Sequence, residues 1–366
     1  MVKRVIIVGG GYAGAALARA MDKVAEIQLV DARDRFVHNV AAIRGVVDPS
    51  LLDRIVIPYD RLLRRGSVRQ GLVTDASSSG VTLASGEHVE GDIVVVATGS
   101  RYANPFKPQG DCTQAFAVSL RTAHGNLKSA NTIVIVGGGA VGTELAGEIS
   151  SAYPGKAVTL VSGSPSLMPG YPDKLAKTLA AQLRSKGVSL RLNTRVENLA
   201  TRDRPFVGSL GKDLGEASDQ LIFPALGARP TTAVFQQLPG ASFDAQGRVV
   251  VDGWLRSAGS RNIFALGDAA ATGDPMTIVA ITRQVPWLAK TITAMLAGQK
   301  TESLSPYKPW PTRGILVPLG PRDGASALPV LRNGMLVGRW LTSRIKGREL
   351  FIPRYLKEFG YATGDQ

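Results

Sequence analysis

Glycines occur twice in a spacing that lets a protein backbone approach phosphate groups. The first set is Gly9-x-Gly11-x-x-Gly14 and the second is Gly137-x-Gly139-x-x-Gly142. In such a set, the first glycine makes a tight turn, the second admits a pyrophosphate and the third lets a helix pack closely on a strand. The helix that follows points its unpaired N–H groups at the phosphates. Each set predicts a dinucleotide site, with contacts expected at Gly9, Gly10, Gly11, Ala13, Gly14, Gly137, Gly139 and Gly142.

The two predicted sites differ in the residue that follows the next strand. Asp31 stands there in the first site, where a carboxylate would hydrogen-bond a ribose 2′-hydroxyl. Ser162 holds the matching position in the second, followed by Gly163 and Ser164. This position has no carboxylate to repel a 2′-phosphate and no adjacent arginine to bind one, so NADH and NADPH both stay open. The alternative for Asp31 is a solvated turn residue.

Both glycine sets lie between elements of the same kind. A β-branched strand precedes each set, a small-residue helix is predicted at 15–21 and at 143–151, and a second strand follows at 26–30 and at 156–161. These β-α-β units are typical of a parallel sheet with crossover helices. The sequence therefore predicts an α/β fold with two Rossmann-like dinucleotide-binding domains.

Further strands that end at glycine complete the two units. Strands at 92–99 and 220–227 close one unit each, and we expect Thr98, Gly99 and Gly227 to contact the cofactors. A later strand ends in Gly267-Asp268, before a helix predicted at 276–296. Because this strand returns to the unit that carries Asp31, the first site is predicted to hold FAD, with Asp268 accepting hydrogen bonds from it. Alternatively, Asp268 caps the following helix.

Chain length and local composition suggest how the chain is divided into domains. At 366 residues it is too long for one compact core. We expect an FAD-binding domain at 1–110 and 242–302, an NAD(P)H-binding domain at 111–241, and a small α+β C-terminal domain at 303–366. Prolines punctuate this last part, and Asp323-Gly324 and Asn333-Gly334 are typical of hairpin turns.

Composition excludes several classes of protein. Apolar residues make up 44% and charged residues 20%, which argues against wholesale disorder. Cys112 is the single cysteine, so no internal disulfide or dithiol can form, and the three scattered histidines predict no metal site. Any redox chemistry must then belong to an organic cofactor.

The longest uncharged stretch, 157–172, is too short to span a bilayer, and the start shows no secretory signal, which favours a cytoplasmic protein.

The charge balance favours an anionic partner. Lysine and arginine number 43 against 29 acidic residues, a net charge of +14. The segment 339–359 is basic, and Phe351, Tyr355 and Phe359 recur on one helical face. This pattern suits peripheral contact with an anionic membrane surface. The alternative is that the aromatic face packs on the protein's own core.

The chain resembles a known family in stretches that cover nearly its whole length. They are residues 5–14, 29–31, 36–44 (FVHNVAAIR), 69–73, 97–100, 133–148, 265–268 and 347–351. These stretches resemble the two-dinucleotide-binding-domain flavoproteins, which have a glutathione-reductase-like fold. Within them the similarity is greatest to the apoptosis-inducing factor 2 or ferroptosis suppressor group, with type II NADH dehydrogenases as more distant relatives.

The resemblance implies a flavoenzyme that oxidises NADH or NADPH and reduces quinones, with non-covalent FAD, either ordinary or ring-modified. By position it adds Arg44 and Val73 to the FAD contacts, Val73 through its backbone. It places Glu144 near both rings, and Lys346 near the flavin, where a cation would stabilise the charge of the reduced ring. The alternatives are a surface charge for Arg44, a helix N-terminal role for Glu144 and a solvated charge for Lys346.

Other functions and departures from the family pattern stay open. A reductase of a ferredoxin or rubredoxin would also use the positive charge. A nucleic-acid-binding flavoprotein has only charge in its favour, because no nucleic-acid-binding motif is present. Val2 follows Met1, so the myristoylation found in related proteins is not expected. The sequence does not decide between a monomer and a homodimer.

Overall fold

The computed structural model describes residues 3–211, 214, 219–330 and 334–362. Its strands are β1 (Arg4–Val8), β2 (Glu26–Asp31), β3 (Arg35–Val37), β4 (Val56–Pro58), β5 (Ser67–Gln70), β6 (Val73–Ser77), β7 (Gly80–Leu83), β8 (His88–Glu90), β9 (Ile93–Val96), β10 (Ser100–Arg101), β11 (Thr132–Val136), β12 (Ala157–Val161), β13 (Ser189–Arg191), β14 (Phe206–Gly208), β15 (Gln220–Pro224), β16 (Arg229–Pro230), β17 (Val249–Val250), β18 (Ile263–Ala265), β19 (Ala270–Ala271), β20 (Ile315–Pro318), β21 (Gly324–Leu328) and β22 (Met335–Val337). Its helices are α1 (Tyr12–Met21), α2 (Asn39–Gly45), α3 (Leu52–Ile55), α4 (Thr113–Ser129), α5 (Ala140–Ala152), α6 (Asp173–Ser185), α7 (Ile278–Leu296), α8 (Arg339–Thr342) and α9 (Ile352–Glu358).

A five-stranded parallel sheet carries the first glycine set. Its strand order is β18-β9-β1-β2-β5, so β18 joins the sheet from far along the chain. Val5 and Ile7 of β1 pack on one face with α1 and α7, whereas Ile6 and Val8 pack on the other face. A parallel sheet covered on both faces needs such continuous apolar strands. The carboxyl ends of β1, β2 and β9 consequently lie at one edge of this sheet.

A second sheet repeats this plan around the second glycine set. Its order is β13-β12-β11-β15-β14, with β14 as an antiparallel edge strand. Ile133 and Ile135 of β11 enter one apolar cluster, and Val134 and Val136 enter another. The predicted α/β class with two Rossmann-like units is therefore confirmed, whereas the domain boundaries at 110, 241 and 302 stay a prediction.

The two glycine-set helices begin earlier than predicted. Helix α1 starts at Tyr12 and α5 at Ala140, so Gly14 and Gly142 lie inside the first turn. A Cβ on Gly14 would stand 1.8 Å from the carbonyl oxygen of Gly9, and one on Gly142 would stand 2.0 Å from that of Gly137. Because glycine is unfavourable in helix interiors, the sequence predicted that each helix starts after the last glycine of its set. Close packing of helix on strand overrides that preference here.

The C-terminal part is a small α+β unit, as predicted. Strands β20, β21 and β22 form an antiparallel sheet. Residues 319–323 connect the first two strands, so Asp323 ends the connection and Gly324 begins β21; Asn333 of the other predicted turn lies outside the described residues. Ile315, Val317 and Ala325 of this sheet join the apolar cluster of the second unit. After β22, α8 continues into a π-helical turn, Ser343–Gly347, before α9.

The aromatic face of the C-terminal segment is not turned to solvent. Tyr355 is 5% and Phe359 is 2% exposed, and both belong to the cluster of the first sheet, with the Phe359 and Phe36 ring centroids 4.6 Å apart. The expectation that these rings meet a bilayer is therefore wrong, and the alternative of core packing is confirmed. Within the described residues, no helix is both long and apolar enough to cross a membrane.

Candidate active site

The first glycine set forms an open cradle at the start of α1. A Cβ on Gly9 would stand 2.5 Å from the carbonyl oxygen of Ala97, whereas one on Gly11 would meet nothing within 4 Å. Gly11 is the N-cap of α1 and brings no side chain to the free N–H groups of the first turn. The space beside Gly11 and these donors fit a pyrophosphate, as the spacing predicted.

Asp31 is buried beside this cradle rather than solvated. It is 3% exposed, and its Oδ2 accepts a 2.5 Å hydrogen bond from the Gly10 N–H. Arg33, which the sequence did not single out, folds back so that its backbone N–H donates to Oδ1 at 2.8 Å and its Nη2 donates to Oδ2 at 3.2 Å. The Gly71 N–H donates to the carbonyl oxygen of Asp31 at 2.8 Å, and Val73 begins β6 two residues later.

The second glycine set forms the same cradle with a different neighbour. Gly139 is the N-cap of α5, and a Cβ on it would likewise meet nothing within 4 Å. Ser162 is 5% exposed, and its hydroxyl accepts a hydrogen bond from the Ser164 N–H at 3.2 Å. A Cβ on Gly138 would stand 2.7 Å from the Ser162 Oγ, so the serine lies directly against the glycine turn.

The strand ends beside the two cradles are joined to each other. The short strands β10 and β16 pair antiparallel, Ser100 with Pro230. The Thr98 hydroxyl donates to the carbonyl oxygen of Thr231 at 2.5 Å, and the Thr231 N–H donates to that of Gly99 at 2.9 Å. Gly99 and Gly227 have positive φ, and a Cβ on either would meet nothing within 4 Å. The predicted cofactor edges of the two sheets therefore lie next to one another.

Asp268 lies at this junction. Its Oδ2 accepts a hydrogen bond from the Ser100 hydroxyl at 2.6 Å and faces the Lys107 ammonium at 3.3 Å. Its Oδ1 has no partner in the part of the chain that the structure describes, so it is free to accept from a ligand. The helix-cap alternative is wrong, because Thr277 caps α7 and Asp268 sits in a separate turn directly after β18.

Glu144 and Lys346 form a buried ion pair. The Lys346 ammonium donates to Glu144 Oε1 at 2.7 Å and to the carbonyl oxygen of Leu316 at 2.9 Å, and Lys346 and Glu144 are 7% and 4% exposed respectively. Burial raises the pKa of the Glu144 carboxyl, and Lys346 only partly opposes that rise. Lys346 is therefore not a solvated charge, and Glu144 binds a lysine from far along the chain.

Arg44 is buried against the same helix. Its guanidinium donates to both oxygens of Glu148, at 2.9 and 2.8 Å, and to the carbonyl oxygens of Gly347 at 2.6 Å and Arg348 at 3.0 Å. Its N–H donors are thus largely taken by protein oxygens, and the surface-charge alternative is wrong. Contact with FAD remains a prediction. Sequence reasoning missed Glu148, although it follows Glu144 by one helical turn.

A histidine links α1 to the segment after Lys346. The Tyr12 hydroxyl accepts from the Val40 N–H at 3.1 Å and donates to His38 Nδ1 at 2.9 Å, while His38 Nε2–H donates to the carbonyl oxygen of Leu350 at 2.6 Å. Burial lowers the pKa of His38 to about 4 and raises the pKa of Tyr12. The neighbouring Asn39 has a buried Oδ1 that lacks a partner among the described residues. In the sequence, the only signal for His38 was the resemblance of the segment 36–44 to the family.

The sequence is similar to an oxidoreductase family and to curated proteins over nearly its whole length. The profile of the pyridine nucleotide-disulphide oxidoreductase family matches residues 58–285. Apoptosis-inducing factor homolog B of Dictyostelium discoideum is 30% identical, over 97% of this chain and 96% of its own length. Ferroptosis suppressor protein 1 of Homo sapiens is 30% identical, over 95% of this chain and 93% of its own length.

Solved structures share the fold at lower identity. An NAD-dependent persulfide reductase from A. fulgidus superposes with a TM-score of 0.68 and 19% identity, over 88% of this chain. The chain spans 63% of that longer reductase. A water-forming NADH oxidase from Lactobacillus brevis, bound to NADH, superposes with a TM-score of 0.61 and 20% identity, over 89% of this chain and 75% of the oxidase.

Proposed function

Because the chain belongs to the pyridine nucleotide-disulphide oxidoreductase family, we propose that it oxidises NADH or NADPH with FAD and passes the electrons to a quinone. The observation that carries this proposal is the junction of the two cradles, where β10 pairs with β16 beside Asp268. Two dinucleotides held at adjoining sheet edges can meet at their reactive ends. Cys112 is the only cysteine, so electrons cannot leave through an internal dithiol.

We assign FAD to the first cradle and the nicotinamide nucleotide to the second. Gly11 and the start of α1 would hold the FAD pyrophosphate, Asp31 its ribose, and Asp268 a hydroxyl of its chain through the free Oδ1. Gly139 and the start of α5 would hold the pyrophosphate of NADH or NADPH. When bound, FAD accepts a hydride and returns the electrons to an acceptor.

The pair of Glu144 and Lys346 would serve the electron-transfer centre. Lys346 uses two of its three N–H groups on protein oxygens, which leaves one to hydrogen-bond an anionic group in the site. A cation fixed in this way stabilises negative charge that develops during reduction. Reduction of a quinone by NAD(P)H also consumes one proton from solvent, and Glu144, with its raised pKa, is suited to hold that proton.

We further propose that the quinone comes from a membrane that the protein contacts through its C-terminal unit. In the segment 339–348, Lys346 and Gly347 face inward, whereas Trp340 is 67% and Ile345 is 37% exposed. Arg339, Arg344 and Arg348 are exposed beside them. An exposed tryptophan flanked by arginines suits an anionic lipid surface. The proposed membrane contact is therefore assigned to this surface and not to Tyr355 and Phe359, which are buried.

Reduction and reoxidation of the flavin test the main proposal. NADH or NADPH should bleach the visible absorbance of the FAD-loaded protein in stopped flow, and a short-chain quinone should restore it. Lys346→Gln should slow both steps by about tenfold or more, because one charge-assisted contact is lost. Bleaching that no quinone reverses would contradict the acceptor, and a chain that cannot bind FAD would contradict the whole proposal.

A further inference from the structure

A loop that is distant in the sequence closes around the serine end of the second cradle. The Ser162 N–H donates to the carbonyl oxygen of Arg191 at 2.8 Å, and the Thr194 N–H donates to that of Ser162 at 2.9 Å. The Asn193 N–H donates to the carbonyl oxygen of Ser164 at 3.1 Å. These three backbone bonds hold residues 191–195 directly beside Ser162–Ser164.

The loop brings an arginine to a place where the linear sequence showed none. A Cβ built on Gly163 would lie 3.9 Å from both Cβ and Cγ of Arg195. Arg195 is exposed, and its side chain has no ion pair or hydrogen bond with any residue that the structure describes. Its guanidinium is therefore available to a ligand at the end of β12, where a nucleotide ribose is expected.

The two cradles of this chain provide an internal comparison. In the first, the carboxylate of Asp31 stands at the ribose position, where it favours a free 2′-hydroxyl and repels a phosphate. In the second, the Ser162 hydroxyl, bonded by the Ser164 N–H, stands there, and Arg195 lies alongside Gly163. Serine hydroxyls can donate to phosphate oxygens, and guanidinium is the side-chain group that best matches phosphate geometry.

We propose that Arg195, with Ser162 and Ser164, binds the 2′-phosphate of NADPH and makes NADPH the preferred nucleotide of the second cradle. The assignment rests on the proposed function in one respect only, that the second cradle holds the electron donor. It names Arg195 as the residue that determines nucleotide specificity. Arg195 gains a charge-assisted contact with NADPH that NADH cannot offer.

Binding of nucleotide fragments tests this proposal without turnover. The FAD-loaded full chain, whose first cradle is filled, is titrated by calorimetry with 2′,5′-ADP and with 5′-AMP. The wild type should bind 2′,5′-ADP more tightly, and Arg195→Gln should weaken that binding about 10- to 100-fold while 5′-AMP affinity stays unchanged. The ratio of kcat/KM for NADPH to that for NADH should fall by a similar factor.

Arg184→Gln is the matched control. Arg184 is also a surface arginine of the second unit, but it lies at the end of α6, which runs back to the opposite edge of the sheet. This variant should keep the wild-type preference. Equal wild-type affinity for the two fragments, or an equal loss of both in Arg195→Gln, would overturn the proposal. A protein that discriminates the fragments but fails to reduce quinones would contradict only the proposed acceptor.

Discussion

Two carboxylates on successive turns of α5 each pair with a cation from another part of the chain. Glu144 pairs with Lys346, and Glu148 pairs with Arg44, which also binds the carbonyl oxygens of Gly347 and Arg348. Arg44 therefore fixes the backbone on the C-terminal side of Lys346. At the scale of single residues, the position of Lys346 therefore depends on the Arg44 guanidinium, whether or not Arg44 touches the cofactor.

Replacing Arg44 by lysine should loosen this arrangement while keeping its charge. Lysine cannot make the paired contact with Glu148 and also reach both carbonyl oxygens. We expect a loss of about 1–3 kcal/mol in the free energy of unfolding, measured by denaturant titration. Flavin reduction by NAD(P)H should slow about tenfold at an unchanged Kd for the nucleotide, measured in stopped flow, since Lys346 shifts relative to its partners.

Arg69→Lys is the control for this substitution. Arg69 also contacts both carboxylate oxygens of a glutamate, Glu87, but this pair lies on the surface. Exposed ion pairs contribute little, so stability and reduction rate should not change measurably. If Arg44→Lys destabilises the protein but leaves the reduction rate as in Arg69→Lys, Arg44 supports only the fold.

At the scale of elements, His38 connects α1 to the turn before α9. Leu350 and Phe351 both have positive φ, and the His38 Nε2–H bond to the Leu350 carbonyl oxygen holds this uncommon backbone in place. Tyr12 and Tyr355 surround the imidazole ring, and the Lys346 ammonium adds to burial in lowering its pKa to about 4. The imidazole is thus neutral in the folded protein near neutral pH.

This shift predicts a loss of stability in mild acid. The unfolded chain binds a proton at His38 near the ordinary imidazole pKa of 6.5, whereas the folded protein does so only near a pKa of about 4. Stability should therefore fall as pH drops from 6.5 towards 4, by about 3 kcal/mol from this group. Denaturant titrations at several pH values should show this slope in the wild type and a smaller one in His38→Gln.

His124→Gln is the matched control for the histidine. Its ring also hydrogen-bonds a backbone carbonyl oxygen, that of Val46, but it is only half-buried. In this variant, the free energy of unfolding should fall with decreasing pH as it does in the wild type. The same slope in the wild type and His38→Gln would show that another group causes the loss.

At the scale of the whole molecule, the +14 charge and the exposed face of the C-terminal unit act together. The Arg344 Cζ lies 5.7 Å from the centroid of the Trp340 ring, so the basic and apolar components of this face are adjacent. The inward side of the same short segment carries Lys346 to Glu144. A bilayer bound at this face would therefore lie close to the proposed electron-transfer centre.

Vesicle binding checks this arrangement. The wild type should co-sediment with vesicles that contain anionic lipid, and added salt should release it. A double variant, Trp340→Ala with Ile345→Ser, should bind several-fold more weakly and keep its activity with a short-chain quinone. Val118→Ser removes another exposed apolar side chain, 53% exposed on α4, and should bind like the wild type. No binding, or equal binding by all variants, would contradict the membrane face.

Local patterns were enough to predict the two cradles and their sheets. Glycine spacing, β-branched strands and the acid or serine after each second strand act over a few residues, because turn geometry and strand burial are set by near neighbours. The α/β class and the places of Asp31, Ser162 and Asp268 beside the cradles followed from these signals. The helix starts were misplaced, because glycine propensity competes there with close packing.

Contacts between distant segments were decided by the tertiary structure alone. The sequence predicted that Phe351, Tyr355 and Phe359 share a helical face, but a period of four does not say whether that face meets solvent or core. Likewise, nothing near Arg44 in the chain indicated Glu148, and nothing near Ser162 indicated Arg195. Such pairs depend on how whole elements pack, and packing is fixed by the sum of many weak contacts rather than by any one motif.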